Sequence, residues 1–165
     1  LNPVEVIGYE QFVAYAKDCG VDGVLLVDLP PEESQQLGEV LQRNEMDQIF
    51  LLAPTSTDQR IQHVVDQASG FVYYVSLKGV TGAASLDISE AAARIAKIKT
   101  KTPVPVGVGF GISDAASAKA MGQVADAVIV GSAFVKNFAN LPADEAVQQT
   151  VNRVKELLAA LDELV

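Results

Sequence analysis

Five short runs of Val, Ile, Leu and Phe recur along the chain, beginning near Gly23, Ile49, Phe71, Val104 and Ala127. Each is bounded by turn residues and followed by a helical pattern. The runs are continuously apolar rather than alternating, which predicts parallel strands buried under helices on both sides of the sequence order. Thr57 and Asp58 offer N-cap oxygens to a helix whose stripe is Ile61, Val64, Val65 and Ala68, with Gly70 as the stop. Pro30-Pro31-Glu32-Glu33 predicts another helix start, where proline loses no hydrogen bond and acids suit the dipole, and Leu37, Val40 and Leu41 then face inward. Phe12, Tyr15, Ala16 and Cys19 predict a first helix ended by Gly20. Val147, Val151, Val154, Leu158 and Leu161 predict one seam of a last helix from about Pro142, with two or three heptads too few for the rival coiled-coil reading.

The order is a helix followed by five βα units, which predicts one α/β domain over residues 1–165. Right-handed βα repetition leaves two architectures open, a doubly wound sheet or part of an eightfold barrel. Length favours the first, because a complete barrel takes about 250 residues.

Composition narrows the class. The 165 residues are 49% hydrophobic, which suits a folded domain that needs neither disulfides nor metal. The single cysteine fits a reducing cytoplasm and offers no zinc cluster, so no metal is expected. Twelve basic against 21 acidic residues give a net charge of −9, which counts against nucleic acid but leaves room for a small phosphorylated metabolite held by backbone amides. No apolar run reaches the roughly 20 residues of a membrane helix, so no membrane partner is expected. The chain starts at Leu1 with no charged or apolar leader region, and the expectation is a start inside a longer polypeptide without a signal peptide.

Two turns carry candidate chemistry. Gly107-Val108-Gly109-Phe110-Gly111-Ile112-Ser113 ends the fourth strand, and closely spaced glycines let backbone amides approach an anion. Alone it is equally a glycine-rich βα turn, and it lacks the Gly-Lys-Ser/Thr of a Walker loop. Gly131-Ser132-Ala133 ends the fifth strand as a second small-residue turn. Paired turns after the last two strands are how eightfold barrels commonly cradle a phosphate. After the third strand, Gly79-Val80-Thr81-Gly82 reads either as an ordinary loop or as one that closes over a ligand.

Taken in order, Asn2-Pro3, Val27-Asp28-Leu29-Pro30, Gly79-Val80-Thr81-Gly82, Gly109-Phe110-Gly111-Ile112-Ser113 and Gly131-Ser132-Ala133 resemble the tryptophan synthase alpha chain family from end to end. The resemblance implies a partial (β/α)8 TIM barrel, comprising an initial helix and strands 4 to 8. It implies tryptophan biosynthesis: a lyase that splits indole-3-glycerol phosphate by a retro-aldol reaction into indole and glyceraldehyde 3-phosphate. It also implies an α2β2 complex in which indole passes to a beta chain, and no cofactor in the alpha chain, since pyridoxal phosphate (PLP) belongs to that partner.

Position by position, Gly82, Gly111, Ile112, Gly131 and Ser132 resemble the family's phosphate-binding groups, and Tyr73 and Phe110 resemble its substrate-pocket lining. Thr81 resembles the loop threonine that supports the catalytic aspartate. Asn2, Asp28 and Pro30 resemble the beta-chain contact surface. The reaction needs an acid at the indole carbon and groups to take protons from the ring nitrogen and the glycerol hydroxyl. The family's catalytic glutamate and aspartate match nothing in this chain and are expected to precede Leu1, so no residue here is assigned as acid or base and the chain alone is expected to be inactive.

The remaining candidates have plainer explanations. Asp28 reads as a structural and interface residue, Glu32, Glu33 and Asp58 as helix-start acids, His63 as a solvated surface histidine, and Cys19 as buried packing. Two rival functions stand beside the lyase: another phosphate-binding barrel such as an isomerase of histidine or thiamine biosynthesis, against which Gly79-Val80-Thr81-Gly82 argues, and a non-catalytic half-barrel that binds a phosphorylated ligand or a partner subunit. A partial barrel leaves apolar edge strands open, which predicts dimerisation or strand exchange.

Overall fold

The computed structural model describes residues 1–75, 88–109 and 111–164. Two helices, α1 (Asn2–Ile7) and α2 (Tyr9–Asp18), precede β1 (Gly23–Leu25). A 3-10 turn (Pro31–Glu33) and α3 (Gln35–Arg43) lead to β2 (Asp47–Leu52), then α4 (Asp58–Gln67) and β3 (Val72–Val75). The chain continues through α5 (Ile88–Lys99), β4 (Val106–Gly109), α6 (Ala115–Gly122) and β5 (Ala127–Ile129), and ends with α7 (Ser132–Asn140) and α8 (Ala143–Asp162).

All four strand pairings are parallel, and the strands lie in sequence order, β1-β2-β3-β4-β5. That order decides between the two architectures. A doubly wound sheet reverses direction at a switch point and places helices on both faces, whereas a barrel advances one strand at a time with every helix outside. Here Phe50, Leu52, Val72, Tyr74, Val106 and Val108 point to one face and are buried with Ile61, Val64, Ile95, Ile98, Met121 and Leu157 of the helices. The opposite, inner face carries Leu51, Tyr73 and Ile129, which are only half-buried. The sheet is a sector of a barrel wall, with β1 and β5 as its edges. A second cluster, Val13, Val24, Leu37, Val40, Leu41 and Met46, packs α2 and α3 over β1.

Local sequence explains most boundaries. Thr57 caps α4 by accepting the Arg60 N–H at 3.2 Å. Asp114 and Ser117 form a reciprocal capping box on α6. Gly20, at φ +80°, takes the left-handed turn that closes α2, and the following Val21 N–H reaches back to the Ala16 carbonyl at 3.0 Å.

Four expectations need correction. Pro31 opens a single 3-10 turn, and α3 begins only after Ser34. Cys19 is exposed, because it is the cap residue beyond α2 and no longer follows the helix stripe; α2 buries Val13 instead, with Phe12 and Ala16 half-covered and Tyr15 in solvent. The residues after Gly131 form α7, a separate helix absent from the periodicity reading. On α8 the buried face is Ala146 and Leu157, with Thr150 and Arg153 half-covered, one residue (about 100°) away from most of the expected seam, of which only Leu161 is half-covered. The physical reason is the close approach of α6, whose Gly122 sits against Leu161 and Leu164 so tightly that a Cβ there would lie 2.5 Å from a Leu161 methyl. Val147, Val151, Val154 and Leu158 are left at the surface. No helix among the described residues is long and apolar enough to cross a membrane.

Candidate functional site

The C-terminal ends of β3, β4 and β5 are level with one another. Val75 pairs with Gly109, and Gly109 with Ile129. Gly111 and Gly131 each come two residues after these partnered positions on adjacent strands. The turns that carry Gly111, Ile112, Gly131 and Ser132 thus follow adjacent strands at the same end of the sheet.

The two turns are built differently. After β4, Gly111 takes φ +60° and is exposed, while the next side chain, Ile112, is buried in the main core. The buried isoleucine anchors the turn and leaves its backbone at the surface. The amides that follow are already used: the Ser113 and Asp114 N–H groups both donate to Ser117 Oγ at 3.3 Å, and Asp114 Oδ1 accepts the Ser117 N–H at 2.8 Å. Those hydrogen bonds hold the Asp114 carboxyl below its usual range. The first turn of α6 thus carries its own anion.

After β5, α7 begins at Ser132 with Gly131 as its N-cap and no side-chain cap. The first amides of a helix have no intrahelical partner, and the helix dipole places partial positive charge there. Of the two helix starts, α7 is the one that carries no carboxylate of its own.

Tyr73 stands on the inner face of β3, directly beside Gly107 and one strand from the turns. Burial raises the pKa of its phenol, so the hydroxyl remains protonated. Asn2 opens α1, and Asp28 lies in the connection after β1 that continues into Pro30. Thr81, Gly82 and Phe110 lie outside the described residues. His63 is at the surface with its Nδ1 3.3 Å from Glu32. Among the described residues no group of three or more His, Cys, Asp or Glu side chains is arranged to hold a metal ion.

The family model described as the tryptophan synthase alpha chain matches residues 1–165. The chain belongs to the tryptophan synthase alpha chain family. The tryptophan synthase alpha chain of Acinetobacter baumannii is 82% identical over 165 residues, all of this chain and 62% of that protein. That of Janthinobacterium sp. is 51% identical over 162 residues, 98% of this chain and 61% of that protein. The chain therefore spans about three-fifths of the length of the curated relatives it matches. Among solved structures, tryptophan synthase subunit alpha from Legionella pneumophila superposes with a TM-score of 0.85 at 32% identity, covering 98% of this chain and 60% of that one. A tryptophan synthase α2β2 complex from Pyrococcus furiosus gives 0.86 at 36% identity, covering 96% of this chain and 64% of that one. These matches agree with the sheet order: the fold is part of the family's barrel.

Sequence reasoning did not find Ser117, which holds two amides just after the Gly111 turn, although Asp114-x-x-Ser117 is a readable capping pattern. It also missed Arg153, whose guanidinium donates to the Ser113 carbonyl at 2.9 Å from 40 residues further along. No local signal marks a contact of that kind.

Proposed function

We propose that this chain forms the phosphate-binding part of a tryptophan synthase alpha subunit, acting in tryptophan biosynthesis on indole-3-glycerol phosphate. The observation that carries this reading is the level pair of turns: an exposed Gly111 backbone anchored by buried Ile112, beside an uncapped helix start at Gly131 and Ser132. A phosphate monoester seated there receives backbone N–H donors from both turns at the positive end of α7. Tyr73, with Phe110, lines the pocket that takes the indole and glycerol portion, Gly82 adds to the phosphate-binding backbone, and Thr81 supports the family's catalytic aspartate.

In the proposed reaction the indole carbon is protonated and the carbon–carbon bond to the glycerol chain breaks, releasing indole and glyceraldehyde 3-phosphate. The carboxylates for these proton transfers are supplied by the family's catalytic glutamate and aspartate, which have no counterpart in this chain. Its own residues bind and orient substrate. No cofactor is required for this half-reaction, and the PLP chemistry belongs to a beta chain that docks through the surface of Asn2, Asp28 and Pro30, where Val27 is also exposed.

Indole release from indole-3-glycerol phosphate tests this reading. The chain alone should release none while still binding phosphate, and adding a polypeptide that carries the two acids should start release. Indole formation by the chain alone would contradict it. The exposed apolar residues on α7 and α8 favour a second behaviour in parallel, self-association or strand exchange at the open edges of the sheet.

A further inference from the structure

We propose that Arg153 is a positioning residue for the phosphate turn, tying the Ser113 carbonyl to α8 and offsetting the Asp114 carboxylate so that the Gly111 and Ile112 amides can face a phosphate dianion. The inference rests on the phosphate reading above and names a residue from outside the two turns.

The geometry is a peptide plane held at both ends. The Ser113–Asp114 peptide is planar, with its carbonyl and N–H pointing opposite ways. The N–H end donates to Ser117 Oγ at 3.3 Å, and the carbonyl end accepts from Arg153 Nη1 at 2.9 Å. The turn is thus pinned from three sides: by the buried Ile112 side chain, by Ser117 of α6 and by Arg153 of α8. The first two hold its core side and its donors. The Arg153 contact draws the Ser113 carbonyl oxygen toward the outer helix layer, and with it a negative dipole end that would otherwise be free to swing toward a bound anion.

The electrostatics point the same way. The α6 cap puts a carboxylate within three residues of amides that are to receive a dianion, in a chain whose net charge is already −9. The Ser117 hydrogen bonds, and to a smaller extent the charge of Arg153, hold the Asp114 carboxyl below its usual range. Arg153 also lies 3.7 Å from Glu156, a loose pair on its own helix that leaves its hydrogen bond to the turn intact.

Calorimetric titration of inorganic phosphate into the chain and its variants tests this. Arg153→Met should weaken phosphate binding about three- to fivefold, the scale of a partly exposed charge contact. Arg153→Lys should return it to within about twofold of the parent, since lysine restores the charge and one donor. Adding Asp114→Asn to Arg153→Met should also recover affinity, because asparagine still caps α6 but carries no charge; a purely structural arginine would show no such rescue. If Arg153→Met fails to fold by circular dichroism, Arg153→Gln takes its place. A parent that binds phosphate, with Arg153→Met or Arg153→Gln binding equally well, overturns the role of Arg153 and leaves the phosphate site standing. A parent that binds no phosphate brings down both.

Discussion

The ring of Tyr73 lies across the α-carbon of Gly109. A Cβ built on Gly109 would sit 2.6 Å from Cε2 and 2.8 Å from Cζ of that ring, with the hydroxyl closer still. The two residues are on adjacent parallel strands, with Tyr73 opposite Gly107 and Gly109 two positions further toward the turns. Glycine at 109 therefore sets where the tyrosine can lie on the inner face. Gly109→Ala should cost about 1–3 kcal/mol, the usual range for overpacking. Adding Tyr73→Ala should restore more than half of that loss, whereas Tyr73→Phe should not, because ring carbons make the clash as well. Urea midpoints for the three variants check this.

Gly111 and Gly131 should respond differently to alanine although both have open space around the missing Cβ. Gly111 is at φ +60°, where an L side chain is strained by about 1 kcal/mol, and Gly131 is not in that region. Gly111→Ala should lower stability by roughly that amount, and Gly131→Ala should stay within about 0.5 kcal/mol of the parent. The same urea series measures both.

Acid stability should depend on Asp126. Burial alone would raise its carboxyl, but the Lys99 ammonium at 2.6 Å and the Val106 N–H at 2.9 Å outweigh that and hold it below its usual range. A carboxyl depressed in the folded state adds stability that is present above its unfolded pKa and disappears as pH falls through the folded one. The contribution should be intact at pH 6 and fade below about pH 4. Asp126→Asn should be less stable than the parent at pH 6, and the difference should shrink by pH 3 in thermal melts.

The exposed apolar face on the last two helices should drive association. Phe138 is 56% exposed, and Val147 and Leu158 are 52% and 53% exposed, with Val151 and Val154 between them on α8. Apolar patches of that kind mark surfaces that other chains cover. Sedimentation velocity should show a concentration-dependent dimer or larger species, and Val151→Glu with Leu158→Glu should shift it toward monomer without lowering the melting temperature. A monomer of the parent at high concentration would contradict this.

Strand positions and the inward faces of α3 and α4 were legible in the sequence because Leu37, Val40, Leu41, Ile61 and Val64 repeat with the period of a helix whose one face is covered. The α8 seam was not, since periodicity finds an apolar stripe but says nothing about which stripe the neighbouring helix covers. That depended on Gly122 allowing α6 and α8 to approach closely. Cys19 misled for a related reason: it continues the helix spacing of Phe12 and Ala16 on paper, but the helix stops one residue earlier. The two glycine turns were readable as a pair. Their asymmetry, one beside a capped helix and one beside an uncapped one, lies in the Asp114 and Ser117 capping pattern, which the sequence offered, and in the Arg153 contact to Ser113, which joins residues too far apart for any motif to connect.

The proposed site holds one phosphate group by the backbone of both turns. Two-dimensional amide NMR during titration with inorganic phosphate tests it most directly. The amides of Gly111, Ile112, Gly131 and Ser132 should shift together along one saturation curve, with those of β1 and α3 unmoved. Shifts confined to other residues, or none at these four, would contradict the account.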